Sequence, residues 1–385
     1  MRDTFLEFSP PCIGEEEIAE VVDTLRSGWI TTGPKARRFE EEFAEAVGAE
    51  SALAVASGTG AMQVGLAAAG IGAGDEVITT PMTFSSTVHV IEHVGATPVL
   101  VDVEPDTLCV DPGQIENAIT TRTKAILPVH LYGHPCEMER ILELGRNHDL
   151  LVLEDAAHAL PAVYQGRSVG SIGDLTAFSF YSTKNITTGE GGLLSGGAEL
   201  IERARPWALH GMTRDALSRY GEEGSWSYEV VLPGFKCNMT DIQAAMGLQQ
   251  LRKLSGFQER RREVAERYAN ALVGLPELEI PVERERCQSA WHVYAIRLRL
   301  EQLTIDRARF IQELTRRKIG TSVHFIPVHI HPYFRDKYDF RPEDFPVAWE
   351  SYRRLVSLPL HPGLTERDVE DVIEAVADVV ARFRS

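Results

Sequence analysis

Apolar positions recur along this chain with two periods, and the order of those periods is informative. Residues 14–26 and 35–47 carry apolar side chains at helical spacing. The first stretch starts on Glu15, Glu16 and Glu17, acids that suit a helix N-terminus. Residues 27–34 between them form a loop by their Gly and Pro content. Its aromatic and hydroxyl side chains fit packed surface and a substrate-facing segment equally well. From Ala52 onward, short apolar runs (ALAVAS, VITTP, TPVLVDV, KAILPVHLYG and LLVLED) alternate with helical patterns. Those patterns begin at Gly60, at Ser85, near Asp111 and around residues 137–148. Such runs read as buried strands, and repeated strand-then-helix units predict an α/β fold: a mostly parallel sheet flanked by helices.

From about Thr240 the pattern changes to two long helices, DIQAAMGLQQLRKL and FQERRREVAERYANAL. Beyond Pro276 come two strand-like runs, WHVYAIRLRL and IGTSVHF, and a last amphipathic helix, ERDVEDVIEAVADVVARF. This predicts a large domain over residues 1–254 and a smaller C-terminal α+β domain over residues 255–385. A length of 385 residues agrees, since one ordinary core rarely grows so large.

Composition narrows the function classes. No apolar run is long enough to cross a membrane. The N-terminus lacks the basic start and apolar block of a signal peptide. Five well-separated cysteines have no metal or disulfide spacing and suit a reducing compartment, so a cytoplasmic location is expected. A net charge of −17 argues against nucleic-acid and anionic-membrane partners. It leaves room for a phosphorylated ligand held locally by helix N-termini.

The candidate chemistry centres on residues 150–192. The run Leu150–Leu151–Val152–Leu153 stops at Glu154 and Asp155, and ligands of open α/β sheets sit beyond such strand ends. A second run from Leu175 leads to Ser182, Thr183 and Lys184, then to a Gly-rich turn. A lysine at the end of a buried strand needs a partner or a task. One task fits an Asp and a Lys on neighbouring strand ends: the Lys forms a Schiff base with pyridoxal 5'-phosphate, and the Asp pairs with its protonated ring nitrogen. Burial would help to deprotonate that lysine. Asp155 could equally be a helix cap, with His158 on the same face of a helix starting there.

The turn from Ser57 to Met62 follows a strand and opens a helix, so its amides suit a phosphate, though a plain tight turn has the same composition. It lacks the G-x-G-x-x-G spacing of a dinucleotide site. Phe84 could lie on a ring-shaped cofactor or pack in a core. Ser179, Ser182 and Thr183 supply hydroxyls near Lys184. His324, His329 and His331 raise the alternative of a metallohydrolase, but no HExxH or acidic cluster stands beside them, so no metal is expected.

Taken together, SGWITTGP, SGTGAM, TPMTF, LPVHLYG, EDAAHA, SFYSTKNITTGEGG, GFKCNMTDIQAAMG and SVHFIPVHIHPYF resemble the DegT/DnrJ/EryC1/StrS family. These are nucleotide-sugar aminotransferases of fold type I among pyridoxal-phosphate enzymes. The resemblance implies that Lys184 carries the cofactor, Asp155 pairs with its ring nitrogen, His158 lies near its 3-hydroxyl and Phe84 stacks on its ring. Thr59, Gly60 and Ser179 would hold the phosphate. Gly60 stands where many members have Ala, and position 158 varies in the family. A homodimer with shared active sites is implied, Asn238 reaching the partner's phosphate with Lys236 beside it. His324 and His329 would face the substrate. The implied reaction moves an amino group from L-glutamate to a keto group of a nucleotide-linked sugar, in amino-sugar synthesis. Lys184 favours transamination, because dehydratases of the family carry His there. A pyridoxal-phosphate enzyme that does not transaminate, and a regulatory protein that binds the cofactor without turnover, are the alternatives.

Overall fold

The structure, a computed structural model, describes residues 2–213 and 227–385. Strands β1 (Ser51–Val55), β2 (Glu76–Thr79), β3 (Thr97–Leu100), β4 (Thr123–Ile126), β5 (Leu151–Asp155), β6 (Leu175–Ser179) and β7 (Gly192–Gly196) form one sheet in the order β1-β7-β6-β5-β4-β2-β3. Pairing is parallel from β6 to β3, while β7 runs antiparallel to both neighbours. The expected mostly parallel sheet is present. Strand β7 is an addition to the sequence reading, hidden in a Gly-rich run. A Cβ on Gly192 would lie 2.3 Å from the carbonyl carbon of Ser57, so glycine lets β7 pass the start of the next helix.

Helices α1 (Glu15–Ser27), α2 (Pro34–Val47), α3 (Gly58–Ala68), α4 (Ser86–His93), α5 (Pro112–Ala118), α6 (Met138–His148) and α7 (Ala198–Ala208) accompany the strands. On one side Phe39 and Phe43 of α2 meet Phe178 and Phe180 edge to face, at centroid separations of 5.0–5.6 Å. On the other, Met62 and Leu66 of α3 pack with Leu153, Leu175 and Leu194. The run KAILPVHLYG is a strand only as far as Ile126; the chain then turns, and Tyr132 adopts a left-handed backbone with φ of 59°.

The two long helices expected after Thr240 are a single helix, α8 (Asp241–Leu272). Thr240 caps it, accepting from the Gln243 amide, and Gln243 returns a bond to the Thr240 amide. Gly256 sits mid-helix in open space. Its cost of about 1 kcal/mol is offset by packing on both sides. Ala244 and Leu248 enter the core beside Phe39, whereas Val264, Tyr268 and Leu272 enter a second core. The boundary expected at residue 255 therefore falls inside a continuous helix.

The second core lies against a small antiparallel sheet of β8 (Leu278–Glu279), β9 (Tyr294–Leu298) and β10 (Leu355–Leu358). Helices α9 (Arg307–Arg316), α10 (Pro332–Tyr338), α11 (Pro346–Arg354) and α12 (Glu366–Phe383) complete that half. The run IGTSVHF is not a strand of the sheet; it makes single bridges, Ile319 to Leu6 and Ser322 to Ser357. Leu6 belongs to the second core, and Arg2 pairs with Asp368 and Asp371 at 2.6 and 2.8 Å. The first residues thus pack with the C-terminal half. Among the described residues, no helix is long and apolar enough to cross a membrane.

Candidate active site

The ends of β5 and β6, the start of α3 and the segment before α4 meet around a cavity of about 350 Å³. Thr59, Phe84, Asp155, His158, Ser179, Lys184 and His324 all line it, so most of the residues singled out in the sequence converge. Successive residues of a strand face opposite ways, and of the two acids only Asp155 reaches the cavity. Glu154 is buried behind it, accepting from Thr176 Oγ1 at 2.7 Å and lying 2.8 Å from His130 Nε2.

Asp155 caps no helix, because residues 156–162 form turns. Its Oδ2 accepts from the Thr87 hydroxyl at 2.8 Å and its Oδ1 from the Ala157 amide at 3.1 Å. Burial raises its pKa above the usual carboxylate range, while these two donors and Lys184 oppose that rise. Lys184 sits in a turn closed by its own amide on the Tyr181 carbonyl at 2.9 Å. Burial pulls its ammonium down to about 8, the charge of Asp155 working the other way.

Three histidines stand around the cavity and are held by one residue. The Tyr132 amide donates to His158 Nδ1 at 3.3 Å, which places the His158 proton on Nε2. The Tyr132 carbonyl accepts from the His292 amide at 2.9 Å, and the Tyr132 hydroxyl donates to the His324 carbonyl. Burial holds His158 and His292 well below the ordinary histidine range and His324 at about 4, so all three are neutral at pH 7. Asn185 donates to the Ala290 carbonyl at 2.7 Å, which turns its oxygen toward His292 Nδ1 at 3.1 Å. That nitrogen is then the protonated one. His158 packs 4.4 Å from His292 and stacks on Phe325 at 5.6 Å between centroids.

At the start of α3, Ser57 Oγ accepts from the Gly60 amide at 3.0 Å. Ser57 thus caps α3 through the Gly60 amide, and the amides of Gly58 and Thr59 stand beside it at the helix start. Gly58 lies against β6, where a Cβ would come 2.9 Å from that of Ser179. The backbone and the Ser179 hydroxyl thereby form a close cradle. Phe84 is 60% exposed at the cavity wall, 5.9 Å from Phe325.

Two candidates lie elsewhere. His329 is fully buried and packs 4.9 Å from Phe345, so it is a core residue rather than one facing substrate. It does not line the cavity with His324. Asn238 lies outside this cavity, in a cleft with Thr32 and Arg37. Its amide donates to Thr32 Oγ1 at 2.5 Å, and its oxygen accepts from Lys236. In the loop at residues 27–34, Thr32 borders Asn238; a second loop whose side chains could choose the sugar, residues 209–226, lies from 214 on outside the described residues. Thr87, Tyr132 and His292 escaped the sequence reading. Thr87 follows Thr83 by one helical turn, a weak signal; His292 had none.

Residues 11–377 match the DegT/DnrJ/EryC1/StrS aminotransferase family. The spore coat polysaccharide biosynthesis protein SpsC of Bacillus subtilis is 51% identical over 381 residues, covering 98% of each chain. The chain belongs to the DegT/DnrJ/EryC1/StrS aminotransferase family. Among solved structures it resembles Spr1654 of Streptococcus pneumoniae, assigned as a sugar aminotransferase and seen in PMP and PLP forms. For the PMP form the TM-score is 0.92 at 36% identity, over 98% of this chain and 99% of that one. It also resembles PseC of Helicobacter pylori, an aminotransferase involved in pseudoaminic acid biosynthesis. There the TM-score is 0.91 at 29% identity, over 99% and 100% of the two chains. The family's fold is fold type I of the pyridoxal-phosphate enzymes, and this member is a pyridoxal-phosphate-dependent sugar aminotransferase.

The cavity fits that cofactor. Its volume is in the range of small-molecule sites. A buried lysine of lowered pKa stands at one wall, a buried carboxylate at another, and the Gly58–Ser179 cradle lies beside an open helix N-terminus.

Proposed function

We propose that this aminotransferase moves an amino group from L-glutamate to a keto group of a nucleotide-linked sugar, in amino-sugar synthesis for a polysaccharide or related glycan. The observation that carries the reading is the meeting of Lys184 and Asp155, both buried, in one cavity beside an open helix N-terminus. The likeness to SpsC supports the polysaccharide setting. Bound pyridoxal phosphate supplies an electron sink for the carbon that loses its proton. Lys184 Nζ takes that proton and returns it, a role open to an amine whose pKa burial has brought to about 8. Asp155 Oδ faces the ring nitrogen as a fixed negative charge. The amides of Gly58 and Thr59 and the Ser179 hydroxyl hold the phosphate. His158 stands by the ring and His324 on the substrate side.

The working unit in this proposal is a homodimer in the cytoplasm, with Asn238 and Lys236 completing the partner's phosphate site. Their position outside their own cavity supports this. The chain divides at α8 into a large cofactor-binding unit and a smaller C-terminal one. The test is the visible spectrum of the purified protein before and after L-glutamate. A yellow band that bleaches with glutamate, and is missing from Lys184→Ala, is expected. A band untouched by glutamate would point to another donor, and no band after pyridoxal phosphate is added would sink the reading of Lys184 and Asp155.

A further inference from the structure

The segment from Thr83 to Thr87 places two kinds of side chain at the cavity. Phe84 lines its wall, while Thr83, just before α4, and Thr87, in its first turn, are buried side by side. The Thr83 and Thr87 hydroxyls are 2.7 Å apart, and Thr87 Oγ1 is 2.8 Å from Asp155 Oδ2. An ionised carboxylate only accepts, so Thr87 must donate to Asp155. Its one proton is then spent, and Thr83 must donate to Thr87. The direction of the chain, Thr83 to Thr87 to Asp155, is therefore imposed by the charge at its end. Such a chain strengthens the last bond, because each donor polarises the next.

We infer that Thr83 and Thr87 are positioning residues that hold Asp155 charged and aimed at the ring nitrogen of the cofactor, from the same segment that sets Phe84 at the cavity wall. The inference rests on the proposed placement of Asp155 at that nitrogen. A buried carboxylate tends toward its neutral acid, and burial does raise the pKa of Asp155. Donors opposing that tendency are the Thr87 hydroxyl and the Ala157 amide, with Lys184 as the cationic group acting on it. His158, which lines the same cavity, is neutral. The amide cannot be lost by substitution. The hydroxyl can, and the two threonines are the adjustable part of the arrangement.

The test compares two ligands on the apoenzyme. One is pyridoxamine phosphate, which does not react with Lys184; the other is the same molecule with carbon in place of the ring nitrogen. Thr87→Val keeps shape and removes the donor. It is expected to weaken pyridoxamine phosphate by about tenfold or more, the worth of a hydrogen bond to a charged group. Binding of the carbon analogue should hardly change. Thr87→Ser should restore discrimination between the two, and Thr83→Val should lose a smaller part of it, roughly fivefold. Equal weakening of both ligands would mean that Thr87 only packs, and would overturn the proposal; so would unaltered affinity. If Thr87→Val does not fold, Thr83→Val carries the same comparison, and an unchanged preference for nitrogen there is the overturning result. Asp155→Asn, measured alongside, separates the failures. Discrimination lost in Asp155→Asn but kept in both threonine variants defeats the relay alone. Discrimination kept in all of them defeats the placement of Asp155 as well.

Discussion

Lys184 can serve as a base near neutral pH because burial costs its ammonium form more than the nearby Asp155 charge returns. With a pKa of about 8, about one molecule in ten carries the neutral amine at pH 7, against far fewer for an ordinary lysine. The rate at which the apoenzyme captures pyridoxal phosphate should therefore climb with pH and level off above about 8. The sign of the Asp155 contribution gives a second expectation. Its charge raises the lysine pKa, so Asp155→Asn should move the plateau to lower pH. Stopped-flow absorbance across a pH series reads both. A rate still rising above pH 9.5 would mean that the amine is solvated. Around the lysine, Tyr132 spends backbone strain at φ 59° to contact three histidines at once.

At the scale of elements, helix ends show how distant parts of the chain are joined. Asp241, in the first turn of α8, accepts from the amides of Gly33, Lys35 and Ala36 at 2.8–3.0 Å. It thus caps α2, an element 200 residues away, and fixes the loop whose Thr32 touches Asn238. Asp241→Ala would leave those amides, two of them buried with their partner, without an acceptor. A stability loss of about 2 kcal/mol is expected, read as a lower urea midpoint at unchanged slope. No change in midpoint would show that water replaces the carboxylate. Asp241 also marks the limit of sequence reading. Strands β1 to β6 and their helices were legible because each announces itself by local periodicity. Strand β7 was not, because Gly192 is there for a close approach to Ser57 that only the fold creates. The two helices expected about Ser255 are one, because α8 runs from one core into the other. At the site, Lys184 and Asp155 stood out as charges at the ends of apolar runs. Thr87, Tyr132 and His292 did not, since their roles depend on partners brought together across 26 to 192 residues.

The whole molecule poses a question that one chain leaves open: which subunit's Asn238 serves which cavity. Within a subunit, Asn238 and Lys236 are tied to each other and to Thr32, outside the cavity that holds Lys184. If they act across a dimer, two defective chains can repair one another. Lys184→Ala destroys the cavity of its own subunit but still presents a sound Asn238. Asn238→Ala keeps its own lysine and withholds the arm from its partner. In a mixed dimer one cavity then collects both defects, and the other collects neither. Refolding the two inactive proteins together should thus return activity to one site of every hybrid, so an equimolar mixture with random pairing regains about a quarter of the wild-type rate per subunit. Asn238 acting within its own subunit would give no sound cavity in any pairing, and the mixture would stay at the sum of its parts. The assay, run with the tightest-binding sugar nucleotide found, decides between the two arrangements without a structure of the dimer.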